Sequence, residues 1–434
     1  SYNRVATFDR ITSGNFNSLQ NTSLSNYIAA MANSEGPIPS EYMRWDGPYN
    51  NYNPYQGNDK YAPSWLTTLG YQGFVINDVG NINDGTYHYE GLGNATSAQF
   101  RTQEKGYVDE YNISVGGNIY NVVYWGIGVG ITDIDYKQYS YYQEHYDNAQ
   151  IAVQRASATS ANDPYYLVPD GGQADYRLTN FLQSSGTGYN IKLGVIAKPI
   201  NELRIGFAFH TPTWYKMTDT YWGDIDYRYT PDDPQYKVNV PEDGYGPMTN
   251  DGSSWNDYNL RTPWRMMFGV AGVIGTKAII SADYELRGSN MRVSDTYGDE
   301  YTDVTADVKT YYKNVSIFRL GAEYRITPQL SVRAGYSHQS SPVETSVEND
   351  GAMIWTAGTI PSYSFNKTTD YYSLGLGYKF SSFYLDLAYL HRTRQSTWHA
   401  YSPILVGQSL DQSSPAASVK DNSNQIYLTF GYKF

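Results

Sequence analysis

The most constraining feature of the chain is a period of two that recurs almost to its last residue. Ile426, Leu428, Phe430, Tyr432 and Phe434 alternate with Tyr427, Thr429, Gly431 and Lys433. Successive side chains of an extended strand point to opposite faces, so this segment presents one apolar face and one small or polar face. Leu203, Ile205, Phe207 and Phe209 alternate in the same way with Arg204, Gly206, Ala208 and His210. Leu320, Ala322 and Tyr324 alternate with Arg319, Gly321 and Glu323, and Tyr372, Leu374 and Leu376 with Ser373, Gly375 and Gly377. The pattern can also be drawn over 111–119, 124–131, 189–197, 264–274, 280–286, 330–336 and 383–390. Counted this way the chain holds about twelve strands, the first cut short at 1–10.

The connections alternate in length. Short ones fall at 120–121, 199–202, 275–277, 327–329 and 381–382. Long ones fill 11–97, 148–177, 230–257, 297–309, 345–366 and 402–421. A soluble sandwich or propeller also alternates apolar and polar residues, but it has no reason to gather tight turns on one side and long loops on the other. That asymmetry belongs to outer-membrane barrels. Composition agrees. Only 17% of residues are charged, while Tyr contributes 46 residues and Gly 39 of the 434. A large barrel needs apolar and aromatic groups outside, small and polar groups inside, and Tyr at the water interfaces. No run of 18 apolar residues is present for a membrane helix. The fold expected is therefore all-β, a transmembrane antiparallel barrel of a Gram-negative outer membrane, one unit over 1–434. The aromatic at Phe434 resembles the terminal signal read by barrel-insertion machinery.

A net charge of −12 gives no basic stripe for nucleic acid. The absence of Cys removes thiolate metal sites, Cys nucleophiles and disulfides. The six histidines (88, 145, 210, 338, 391 and 399) show no metal-ligand spacing. The acidic runs 78–85 and 242–257 match only fragments of a calcium loop and read better as solvated turns. No enzyme, metal or cofactor is expected. No signal peptide is visible at Ser1, and the chain opens inside a strand pattern, so an upstream N-terminal part is expected. In the loop 11–97, Ser23 reads as a helix N-cap, with Leu24, Tyr27, Ile28 and Met31 on one helical face. That loop is dense in Trp45, Tyr49, Tyr52, Tyr55, Trp65 and Tyr71, which suit either partner contacts or self-packing.

Several segments, in collinear order, resemble the FadL family of outer-membrane transporters for hydrophobic compounds, in particular its Bacteroidetes-type branch. They are SGTGYNIKLGVIAKP at 185–199, LRIGFAFHTPTWYKMTD at 203–219 and LRTPWR at 260–265. IISADYEL at 279–286, FRLGAEYRITP at 318–328, residues 330–342 and the terminal 427–434 continue the series. The resemblance implies a fourteen-stranded barrel, an N-terminal hatch in its lumen, and passive uptake of hydrophobic small molecules such as long-chain fatty acids. The hatch and its Asn-Pro-Ala signature are absent from this sequence. Partners implied are outer-membrane lipids and a lipophilic substrate. The alternative is an accessory barrel subunit of a larger outer-membrane complex, contacting other proteins through its aromatic loops.

The candidate ligand-binding residues are Phe209, Trp214, Tyr215, Met217, Trp264, Arg265 and Arg319. The two arginines fall on polar faces, where a guanidinium could hold a fatty-acid carboxylate. They could equally belong to an Arg–Glu ladder that only balances charge in a filled lumen. The aromatic group could line an outer groove for a lipophile or form an interfacial girdle. Pro212, Pro263 and Pro342 cannot donate to a strand ladder, and all three are expected at the outer ends of strands.

Overall fold

The computed structural model describes residues 1–19, 22–36, 38–45, 47–49, 52–56, 60–80, 87–157, 166–237, 254–349, 352–356, 358–406 and 409–432. Phe434, Lys433 and most of the two acidic runs lie outside the described residues. Among the described residues one antiparallel sheet follows a path of twelve barrel strands. They are β1 (Tyr2–Phe16), β2 (Ser97–Ile119), β3 (Val123–Arg155) and β4 (Tyr166–Ile200). Next come β5 in two segments (Leu203–His210, Trp214–Pro231) and β6 in two (Ser254–Arg261, Arg265–Ile274). Then β7 runs through Ala278–Arg287, continued by Arg292–Ser294. The last five are β8 (Val315–Arg325), β9 (Leu330–Gln339), β10 (Tyr363–Phe380), β11 (Phe383–His399) and β12 (Ala416–Tyr432). Each strand pairs with its neighbours in sequence, and the sheet curls into a nearly closed barrel whose edges are β1 and β12.

The turns on one side are tight for a visible reason. Tyr120 and Asn121 both adopt positive φ (52° and 54°), the backbone needed when two twisted strands reverse in two residues. Ser381 and Gly275 serve the turns β10–β11 and β6–β7 in the same way. On the other side the strands run further than their apolar alternation. The hairpin β3–β4 continues to Arg155 and resumes at Tyr166, inside a span expected to be a loop from 148 to 177. Likewise β1 reaches Phe16 rather than Arg10, β10 starts at Tyr363 and β12 at Ala416. Above the apolar band the outer face meets water, so the apolar signal disappears there although backbone pairing persists. What remains is inward burial at Tyr142, Glu144, Tyr146, Ala174, Tyr176 and Leu178.

The outer face carries a band of exposed apolar side chains on neighbouring strands. Ile113 and Val115 on β2, Ile127 and Ile131 on β3, Leu193 and Val195 on β4, and Ile205 and Phe207 on β5 all point outward. The band continues through Phe268, Ile280, Leu320, Leu374 and Leu385 to Ile426, Leu428 and Phe430. From Tyr111 to Ile119 it spans about 20 Å if strands rise ~3.3 Å per residue and tilt by roughly 40°. An inward row of small residues backs it: Gly116, Gly126, Gly194 and Ala208 sit at successively paired positions. Leu374, 64% exposed at mid-band, gives a direct test. Leu374→Arg should cost about 2–4 kcal/mol in urea unfolding from vesicles. The inward Ser373→Asn should cost far less, and equal losses would contradict the assignment of faces.

Pro212 and Pro263 interrupt β5 and β6 in mid-strand rather than ending them, contrary to the sequence expectation. The strands simply extend on past the prolines, 18 residues in the case of β5. The two breaks lie side by side, and threonines close them. Ile191 donates its N–H to Thr211 Oγ1 at 2.9 Å, and Thr213 donates its N–H to Thr262 Oγ1 at 2.9 Å. Thr262 N–H bonds Thr213 O at 3.0 Å. The wall is therefore bonded through the kink. Pro342 does follow the outer end of β9.

Candidate functional site

The barrel presents three features that bear on passage through it: a closed mouth, a charged lumen and a hollow beside the β1–β12 seam. The segment between β1 and β2 builds the closure. Helix α1 (Leu24–Ser34) is capped by Ser23, whose hydroxyl accepts from Asn26 N–H at 3.1 Å. Helix α2 (Trp65–Gln72) is capped in the same way by Ser64. Both pack on the inward faces of the upper β2–β5 in one core that includes Leu24, Ile28, Leu69, Tyr146, Leu178 and Ile225. Gly70 abuts the Ile28 side chain and Gly73 that of Ile225, so neither helix could come as close with a larger residue there. Trp398 of β11 reaches the same core and lies flat on Phe100 of β2, with ring centroids 3.6 Å apart and planes 7° apart. Tyr27 and Tyr401 stack at 5.3 Å. Of the aromatic loop residues, Tyr52, Tyr55 and Tyr89 are buried within the chain itself, whereas Trp45 and Tyr49 are exposed.

One carboxylate pins this closure. Glu144 is completely buried. It accepts from Tyr146 Oη (2.5 Å), Tyr176 Oη (2.6 Å), Tyr142 Oη (3.2 Å) and the Leu24 N–H that opens α1 (2.8 Å). An anion facing a helix N-terminus is favourably placed. Burial pushes the Glu144 carboxyl above its ordinary value, and the tyrosine hydroxyls and Leu24 N–H pull it part of the way back. Higher on the wall, burial takes the His399 imidazole down to about 4, against a Tyr363 ring stacked on it at 4.8 Å.

Lower in the barrel the inward positions carry a belt of charge. Glu285 on β7 is 2% exposed and meets three guanidiniums. These are Arg319 at 2.5 Å, Arg287 at 2.6 Å and Arg265 at 3.8 Å. Arg265 also donates to His210 Nδ1 at 2.9 Å. Around the wall, Lys192 binds Glu110 and Asn112. Nearer the turns, Arg333 bridges Glu323 (2.7 Å) and Asp386 (2.5 Å). That lower set carries one cation between two carboxylates. The upper set has the opposite excess, with three guanidiniums within 4 Å of the one carboxylate of Glu285, although Asp283 stands opposite Arg319 in register. Beneath it a hollow of about 450 Å³ runs past the inward Met267, Gly206, Gly269 and Asp283, where missing side chains thin the wall.

A cavity of about 1090 Å³ lies beneath Trp398 and beside the seam. Its walls come from both sheet edges: Arg10 and Thr12 of β1, and Asp421 and Gln425 of β12. Arg10 pairs with Glu104, while Arg392 and Arg394 share Asp421 at 3.1 and 2.9 Å.

The structure divides the seven candidate residues. Arg265 and Arg319 converge on Glu285. Tyr215 and Met217 pair with Gly188 and Gly186 on the inward face, and Met217 is buried. Phe209 and Trp214 pair with Leu193 and Tyr189 on the outward face, where Trp214 stacks on Tyr189 at 5.3 Å. Trp264 lies in the break of β6, its ring against Gly288. They therefore form two separate groups, one on each side of the wall. Glu285 and Arg287 complete the inner group, and sequence reasoning missed Arg287 because it ends its strand. Its position two residues after Glu285, on the same face, was the available signal.

No family model and no curated protein matches the chain. Among solved structures it is similar to a FadL homologue of Pseudomonas aeruginosa, with 13% identity over 97% of this chain and 100% of that one, at a TM-score of 0.40. It is similar to the toluene transporter TbuX of Ralstonia pickettii, with 12% identity over 83% and 77% of the two chains and a TM-score of 0.33. The toluene transporter TodX of Pseudomonas putida follows, with 9% identity over 78% and 87% and a TM-score of 0.32. Likeness at this level carries no statement about substrate, and the functional reading rests on the geometry of the chain itself.

Proposed function

We propose that the protein is an outer-membrane barrel for passive uptake of hydrophobic small molecules that carry an acidic head, long-chain fatty acids being the class that fits best. The observation that carries this reading is the trio of arginines on Glu285. A ligand carboxylate would supply the second anion that three guanidiniums can accommodate, through charge-assisted and bidentate bonds. The hollow past Met267 and the glycines lies directly below, toward the tight turns, and offers room for an alkyl tail, with Asp283 as its one acidic lining residue. Burying that tail at about 0.8 kcal/mol per CH₂ would supply most of the affinity. The exposed apolar band supports residence in a membrane, and the packed mouth supports a selective path rather than an open pore. A role as an accessory subunit gains less support, because Tyr52 and Tyr55 of the aromatic loop are buried within the chain, which leaves Trp45 and Tyr49 as its exposed aromatics.

The test uses the full chain in mild detergent with a sixteen-carbon fatty acid and the matching alcohol. Arg265→Gln combined with Arg319→Gln should weaken the acid by about tenfold or more, from the loss of roughly 1.5–3 kcal/mol of charged hydrogen bonding. The alcohol should be unaffected. Equal affinity for acid and alcohol in the native chain would overturn the site, and a fixed set of co-purifying proteins without bound lipophile would favour the accessory role.

A further inference from the structure

The outer surface holds a second cluster of cations. Across β4, β5, β6 and β7 one outward row reads Tyr189, Trp214, Arg261 and Arg292, each directly opposite the next. Lys216 stands on the same face two residues above Trp214. Together they line a hollow of about 340 Å³, in which Glu300 is the one acidic lining residue. Like charges directly opposite on neighbouring strands repel, so the Arg261–Arg292 pair is unfavourable as it stands. Glu300 relieves it only in part, at 3.4 Å from Arg292. The Nε of Arg261 is buried with no hydrogen-bond partner. The row lies at the upper rim of the apolar band, since Tyr189 pairs with the exposed Ile131, and Asp133 and Asp135 follow above it. Below it the outer face carries Phe207 and Phe268.

We infer that this hollow binds the phosphorylated headgroup of an outer-leaflet lipid. Arg261 and Arg292 would hold a phosphate between them with Lys216 as a third donor, and the Tyr189–Trp214 stack would meet the boundary between headgroup and acyl chains. The acyl chains would lie on the phenylalanines below. Such a lipid would be annular and outside the wall, separate from any ligand of the lumen. The inference rests on the membrane placement proposed above but not on transport.

The test is native mass spectrometry of the full chain in detergent with bis-phosphorylated lipid A as probe. Arg261→Gln combined with Arg292→Gln should weaken binding by tenfold or more, while Arg261→Lys should retain most of it. A dephosphorylated lipid A should bind the native chain as weakly as the phosphorylated one binds the double variant. Heat-modifiable migration on gels establishes that each variant is folded. Equal binding by native and double-variant chains would overturn the site, and competition by millimolar inorganic phosphate would assign it to free phosphate instead. A chain that fails to insert into vesicles at all would overturn the membrane reading itself, which separates the two failures.

Discussion

Trp398→Ala should unseal the mouth and destabilise the closure by about 3–5 kcal/mol, the usual range for deleting a buried indole. Trp398 is 3% exposed and joins β11 to β1 and β2 across the seam. It stacks on Phe100 of β2 at 3.6 Å, approaches Phe16 of β1 at 6.3 Å and Tyr142 of β3 at 6.3 Å. The same side chain roofs the cavity of about 1090 Å³. Removing it should connect that cavity to the loop side, so single-channel conductance in planar bilayers should rise clearly above the native value. Trp398→Phe should keep most of the stack and stay near native. If the alanine variant conducts like the native chain, the seal lies elsewhere in the core.

The second large effect is expected at Glu144. Glu144→Ala leaves the Tyr142 and Tyr176 hydroxyls and the first N–H of α1 without an acceptor, leaves Tyr146 only Ser25 Oγ, and opens a cavity, a loss of roughly 3–5 kcal/mol. Glu144→Gln should cost less, because its amide oxygen can still accept from the Leu24 N–H. The pH dependence has a definite sign. A carboxyl whose folded pKa is raised binds more protons in the folded state between its ordinary value of 4.5 and the raised value. Stability then falls as pH rises through that window and is greatest below it. The closure should accordingly be tightest in mild acid. Hydrogen exchange of α1 amides should slow as pH is lowered toward 4.5, after correction for intrinsic rates, and the Gln variant should lose this dependence. Exchange that quickens in acid, or a Gln variant that tracks the native chain, would show that Glu144 does not carry it.

Much of the barrel was legible in the residues. Alternation at 203–209, 320–326 and 372–380 marks strands because one face must meet an apolar solvent and the other must not. Tight turns at 120–121 and 381–382 were equally plain. The upper halves of β3, β4 and β5 were not, since above the band both faces lose their apolar contrast and Tyr, Asn and Gln serve either face. Pro212 and Pro263 misled for a related reason. A proline reads as a strand end, yet the Thr211 and Thr262 hydroxyls beside the two prolines accept N–H groups of the neighbouring strands, and pairing continues beyond them.

The candidate site divides in the same way. The polar faces placed Arg265 and Arg319 inside the barrel, and the apolar face placed Phe209 outside, because parity along a strand is a local property. The convergence of Arg265, Arg287 and Arg319 on Glu285 depends on register across β6, β7 and β8. So does the row from Tyr189 to Arg292 across four strands. The sequence by itself determined the strand faces, the side of the tight turns and the apolar band. The tertiary structure alone decided which charges meet and that the aromatic loop turns inward to close the mouth, because both depend on contacts between residues tens to hundreds of positions apart.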